Sequence, residues 1–127
     1  MAKSFDARQD SPILRRATAA FVAQFLEDAL PPLRLAARGC GYAVTVHGSL
    51  ARDIDLVAIP WEDRVDTPEL LVQRLCGVLA GMVGRALPMN TWTDKPQGRR
   101  AVTIIMPGDC PEIDLSIMPC VEKDAPG

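Results

Sequence analysis

The chain has a single histidine, His47, and its four cysteines, Cys40, Cys76, Cys110 and Cys120, are spread without a CxxC spacing or a Cys/His pair. Those absences argue against a zinc site and leave reduced thiols as the default. No apolar run approaches the roughly 18 to 20 residues needed to span a bilayer. The start, MAKSFDARQDS, is charged, so neither a signal peptide nor a membrane helix is expected, and the chain reads as cytoplasmic with no membrane partner. An excess of one charge is missing too. Fourteen Lys and Arg stand against 16 Asp and Glu, which excludes both a polybasic nucleic-acid binder and a disordered acidic chain. A nucleic-acid partner would have to be held by a local patch. There is no internal repeat.

What is present is 127 residues, 48% of them hydrophobic. That suits one domain, residues 1–127, with a single core and no room for separate catalytic and recognition domains. Ser11 and Pro12 look like an N-cap and a first-turn proline, and Leu14, Thr18, Phe21, Val22, Phe25 and Leu26 recur at helical spacing. This helix is expected to reach Leu30 and to break or bend at Pro31 and Pro32. A shorter helical piece from Leu33 to Ala37 should follow, ended by Gly39 and Gly41, so that the N-terminal helices cover 11–38.

YAVTVH, Tyr42 to His47, alternates like a strand, and a second strand runs from Ile54 to Pro60. After WEDRVD, Thr67 and Pro68 cap a helix with Leu71, Leu75, Val78, Leu79, Met82 and Ala86 on its buried side. Gly77, Gly81 and Gly84 weaken that helix, in exchange for close packing. MNTWTDKPQGRR holds one candidate strand near Trp92, and AVTIIM and EIDLSIM, joined by PGDCP, form a hairpin. The fold expected is α/β (α+β): a mixed sheet of about four to five strands with helices packed on it. The motif-bearing part is 42–119, and 120–127 is a frayed tail.

The chemistry lies in two short runs. Because strand side chains alternate, Asp53 and Asp55 share a face with Val57 and Ile59, opposite Ile54, Leu56 and Ala58. That face turns apolar further on, which places the acids at the rim of an otherwise covered sheet. In the last strand Glu112, Asp114 and Ser116 lie opposite Ile113, Leu115 and Ile117. Acids from strands about 4.8 Å apart can converge on hard divalent cations. Paired ions about 3.5 to 4 Å apart stabilise both the attacking and the leaving oxygen in phosphoryl transfer. Without a cation the carboxylates repel one another. The competing explanation is plain surface charge at a sheet end. Gly48 and Ser49, just ahead, make either a hairpin turn or a close backbone approach to a phosphate.

GSLARDIDL, with the later IDL strand, resembles the signature of the nucleotidyltransferase superfamily related to DNA polymerase beta, in its minimal single-domain form. The signature is Gly-Ser, a spacer, an hDxDh strand and a third acid on a later hDh strand. The resemblance implies a nucleotidyltransferase-like fold over Tyr42 to Met118. It makes Gly48 and Ser49 phosphate contacts, and Asp53, Asp55 and Asp114 ligands of two Mg2+ (or Mn2+) ions, with Asp114 also serving as the base for the acceptor's proton. One departure is the spacer. Only Leu50, Ala51 and Arg52 separate Ser49 from Asp53, where family members carry a longer segment that begins a short helix facing the phosphates. HGSLARDIDL, KPQGRRAVT and IDLSIMP also look like short proteins of bacteriophages and prophages.

Supporting residues carry two readings each. Arg52 would bind a phosphate or form a structural ion pair with the aspartates. Lys95, Arg99 and Arg100 would hold a triphosphate or nucleic-acid backbone, or make a solvated loop. His47 is an acid–base candidate or a strand-end structural residue. Trp61 and Trp92 are read as core or rim residues, with base stacking as the alternative. The leading expectation is a Mg-dependent nucleotidyltransferase that moves a nucleoside monophosphate from a nucleoside triphosphate to an unknown acceptor: nucleic acid, protein or small molecule. The alternatives are a catalytically degenerate module of the same fold that binds nucleotide or a partner protein, as phage or antitoxin-like regulators do, and a structural protein with a solvated sheet end.

Overall fold

Thr67 ends the acidic link with an extended backbone, and its Oγ1 accepts a hydrogen bond from the Leu70 N–H at 3.2 Å. That cap, followed by Pro68, starts the helix where the sequence puts it. The computed structural model describes residues 12–47, 53–89 and 92–120. In chain order these form α1 (Pro12–Gly39), β1 (Tyr42–Val46), β2 (Ile54–Pro60), α2 (Pro68–Val83), β3 (Leu87–Pro88), β4 (Thr93–Asp94), β5 (Arg100–Ile105) and β6 (Ile113–Ile117). The Ser11 cap and the tail beyond Cys120 lie outside the described residues.

The strands make one mixed six-stranded sheet in the order β1-β2-β6-β5-β3, with β4 also on β5. β2 and β6 run parallel, while β1–β2 and the β5–β6 hairpin are antiparallel. Two helices pack on this sheet, which bears out the expected fold class. Six strands form instead of four to five because β3 and β4, two residues each, both pair with β5, one at each end of it. Leu87–Pro88 has no alternation to announce a strand; it is one only because β5 lies beside it.

The core sits on one side of the sheet. Tyr42 and Val44, Ile54, Leu56 and Ala58, Val102 and Ile104, and Ile113, Leu115 and Ile117 are buried there. They meet Val22, Phe25, Leu26, Ala29, Leu33 and Ala37 of α1 and Leu71, Val72, Leu75 and Leu79 of α2 in a single cluster. Tyr42 OH donates to the Asp66 carbonyl at 2.8 Å, and the Asp66 N–H donates to the Cys40 carbonyl at 2.9 Å, so the entry to β1 is tied to the entry to α2. Gly41 between them has φ +93°, and a Cβ there would come within 2.9 Å of Val65 Cγ1, so only glycine fits.

Pro31 and Pro32 do not divide α1, contrary to expectation: the helix continues to Gly39. Neither proline can donate to the carbonyl four residues back, but those carbonyls belong to Glu27 and Asp28 on the exposed side, where water can satisfy them. Ala29, Leu33 and Ala37, each at most 1% exposed, hold the chain to the core on both sides of the prolines. Packing therefore outweighs the local penalty.

The buried side of α2 is also narrower than its pattern suggests. Met82 is exposed, Val78 is half-buried, and Ala86 is buried only after the helix has ended at Gly84, whose φ of 95° makes a left-handed cap. Gly77 and Gly81 are exposed, with nothing within 4 Å of an added Cβ, so they serve no close packing. Gly77→Ala combined with Gly81→Ala is therefore expected to stabilise the fold by about 1–2 kcal/mol, seen as a higher urea midpoint at unchanged slope. A destabilised double variant would show that something does approach those positions.

Candidate functional site on the uncovered face of the sheet

Both helices pack on one face, and no described helix covers the other. Alternation turns Asp55, Val57 and Ile59 of β2, Asp114 and Ser116 of β6, and Ala101 and Thr103 of β5 to that open face. Strand register then assembles them into rows. Asp55 lies beside Asp114 across the parallel β2–β6 pair, and Asp114 lies beside Thr103 across β6–β5. The His47 N–H donates to the Asp55 carbonyl at 2.8 Å, which puts His47 at the other end of the same row. The row reads His47, Asp55, Asp114, Thr103.

The two carboxylates are thus neighbours by construction. Asp55 is half-buried and its carboxyl is pushed above the ordinary aspartate value, first by burial and then by the Asp114 charge, with Asp53 adding and His47 opposing. Thr103 Oγ1 donates to Asp114 Oδ1 at 2.9 Å, which orients that carboxylate. Asp53 immediately precedes β2, within electrostatic reach of Asp55. The Ile54 N–H donates to the Glu112 carbonyl at 3.0 Å, so the strand alignment extends to Asp53 and Glu112, and Glu112 joins the acidic end of the face.

One expectation is corrected here. The acids stand near the ends of β2 and β6, but the face they share is not covered by any described helix, and Ile59 beyond them is 43% exposed. The reason is the number of helices: both of those described are spent on the opposite face. Gly48, Ser49 and Arg52, expected at the phosphates, lie outside the described residues.

The donor set suits a hard divalent cation in kind, since carboxylate oxygens are what Mg2+ takes, and a cation would relieve the Asp114 repulsion that adds to burial in raising the Asp55 carboxyl. In number it is sparse. Among the described residues no three His, Cys, Asp or Glu side chains gather into a metal-holding group; strand register sets Asp55 beside Asp114, and Asp53 precedes β2 by one position. Two carboxylates still fit the way Mg2+ is bound in phosphate chemistry, where waters and substrate oxygens complete the shell.

The supporting residues separate. Arg100 is engaged: its guanidinium pairs with Glu69 at 2.9 Å and lies 4.2 Å from the centre of the Trp92 ring. Trp92, half-buried against the core, is therefore a packing residue. Arg99 is half-buried, and its Nε is buried without a partner among the described residues. Lys95 is exposed, and among the described residues it forms no ion pair.

Two depressions escaped the sequence. Thr45, Val57, Ile59, Trp61, Met118 and Pro119 help to line an open trough of about 790 Å³, and Trp61 is 56% exposed in it rather than a core residue. Thr93, Lys95, Thr103, Asp114 and Ser116 ring a smaller depression of about 310 Å³ around Ala101. Alternation signals which of these side chains share a face, but not that no described helix covers it. No helix among the described residues is long and apolar enough to cross a membrane. No protein-family model matches the chain, and no curated protein matches it in sequence.

Proposed function

We propose that this face carries out Mg2+- or Mn2+-dependent nucleotidyl transfer, moving a nucleoside monophosphate from a nucleoside triphosphate to an acceptor with release of pyrophosphate. The observation that carries the proposal is the in-register pair Asp55 and Asp114 on adjacent parallel strands, with Asp53 one position ahead of β2, on a face open to substrate. Held by Asp53, Asp55 and Asp114, two divalent ions would neutralise charge developing on the phosphoryl oxygens. The rest is the work of the chain. Thr103 fixes Asp114 through Oδ1, leaving Oδ2 to accept the proton of the attacking hydroxyl. Gly48, Ser49 and Arg52 are assigned to the phosphates. Four residues along β2, roughly 13 Å, separate Asp55 from Ile59, comparable with the reach from the phosphates of a nucleotide to its base. Ile59 and Trp61 in the trough offer that base an apolar and aromatic platform.

The second reading, a degenerate module that docks a partner protein on this face, is favoured by the exposure of Ile59 and Trp61 and by the lack of a three-carboxylate group among the described residues. Calorimetric titration of ATP and GTP with and without magnesium separates the two. Binding of at least one nucleotide that requires magnesium and is abolished by chelation is the expected result. No binding of either would overturn the catalytic assignment and leave the partner module.

A further inference from the structure

The smaller depression has features that neither the acids nor the trough explain. Its floor is Ala101, which register places between Ser116 of β6 and Thr93 of β4. The short alanine methyl leaves the hollow, and longer polar side chains surround it. Ser116, Thr93 and Thr103 bring three hydroxyls, Asp114 stands on one wall and Lys95 on the β4 side. The Lys95 backbone is fixed: its N–H donates to the Arg99 carbonyl at 2.7 Å, closing a turn in which Gln97 and Gly98 have φ of 68° and 80°.

We infer that this depression is the acceptor subsite and that it takes a small phosphorylated sugar or polyol with a free hydroxyl; as an acceptor subsite it rests on the nucleotidyl-transfer reading above. Three hydroxyls around a small pocket match a polyhydroxylated ligand. The Thr103 hydrogen is already given to Asp114, so that hydroxyl faces the ligand as an acceptor. The charges set the direction. Asp114 repels an anion and Lys95 attracts one, and β6 and β4, on either side of β5, lie roughly 10 Å apart. A ligand with a phosphate at one end and a neutral hydroxyl at the other is held with the phosphate at Lys95 and the hydroxyl beside Asp114. There the hydroxyl oxygen forms a bond to the α-phosphorus of the nucleotide while its proton passes to Asp114. The bond from the α-phosphorus to the bridging oxygen breaks, and its electron pair leaves with pyrophosphate. A nucleic-acid backbone would need a continuous basic track, and Arg100 is committed to Glu69 and Trp92.

The test omits nucleotide and metal, so it is independent of the magnesium-nucleotide titration. Glycerol 3-phosphate, ribose 5-phosphate and glucose 6-phosphate are titrated into the protein and followed by NMR shifts and calorimetry, beside glycerol, ribose, glucose and inorganic phosphate. At least one phosphorylated compound is expected to bind about tenfold or more tighter than both its unphosphorylated counterpart and inorganic phosphate. Lys95→Met, at an exposed position, and Ala101→Leu, which fills the hollow without removing a polar group, should each weaken that binding about tenfold or more, with the melting temperature as the check on folding. Absence of such binding, equal binding of inorganic phosphate, or binding that survives both variants overturns the inference. If a sugar phosphate binds as expected but magnesium-nucleotide does not, the ligand class stands and the acceptor role falls with the nucleotidyl-transfer reading.

Discussion

Asp55→Asn is expected to lower the proposed magnesium-dependent nucleotide turnover by about a thousandfold or more, the scale set by several kcal/mol of lost charge stabilisation, and to make the protein slightly more stable at neutral pH. The two effects come from the same geometry. Asp55 stands beside Asp114 in the parallel register, and burial together with that second charge pushes its carboxyl above the ordinary value of 3.8. A folded state that holds a proton more tightly than the unfolded chain is favoured at low pH. It loses that advantage as pH rises from the ordinary value through the raised one. Above that window the ionised pair costs stability, and asparagine, similar in shape and uncharged, removes the cost. For like charges directly opposite in a sheet the gain is about 0.2–1 kcal/mol, or roughly 1–4 °C in melting temperature. It should shrink as the pH falls toward 3.8 and as salt is added. Melting curves of both proteins across pH, with nucleotide binding measured in parallel, decide the matter. A variant less stable than wild type at pH 7 would show that Asp55 is held by a favourable partner, and unchanged magnesium-nucleotide binding would remove it from the site.

The largest effect on stability is expected at Leu115→Ala, about 2–5 kcal/mol, a sizeable share of the 5–15 kcal/mol typical of a domain. Leu115 is 1% exposed, at the middle of β6, with Leu56 beside it on β2 and Val102 on β5. The truncation therefore opens a cavity in the central row of the covered face, where neighbours on both strands and the helices above cannot all close in. Ser116→Ala, one residue on, is the control: its side chain belongs to the open face, and its replacement should change stability by no more than about 0.5 kcal/mol. Chemical denaturation of the two variants tests the alternation directly. Similar losses at both positions would mean that the open face is covered after all.

The sequence by itself determined the periodic elements and the faces of the strands. Thr67 with Pro68 starts α2 through a hydrogen bond to a residue three positions on, and Ile54, Leu56 and Ala58 mark the buried side of β2 through a two-residue period; both are local, so both are legible. The aspartates of β2 and β6 were legible as members of a face for the same reason. Tertiary structure decided what alternation cannot carry. A period of two says which side chains point together, but not which strand lies next door, and the parallel pairing of β2 with β6 is what turns two separated IDL runs into one carboxylate pair. Packing also carried α1 across Pro31 and Pro32, because buried neighbours on both sides hold the chain helical. Finally, the placement of both described helices on one face left Asp55, Asp114, Trp61 and the hollow at Ala101 without a described helix over them. That is a property of how the layers stack, and no single stretch of residues encodes it.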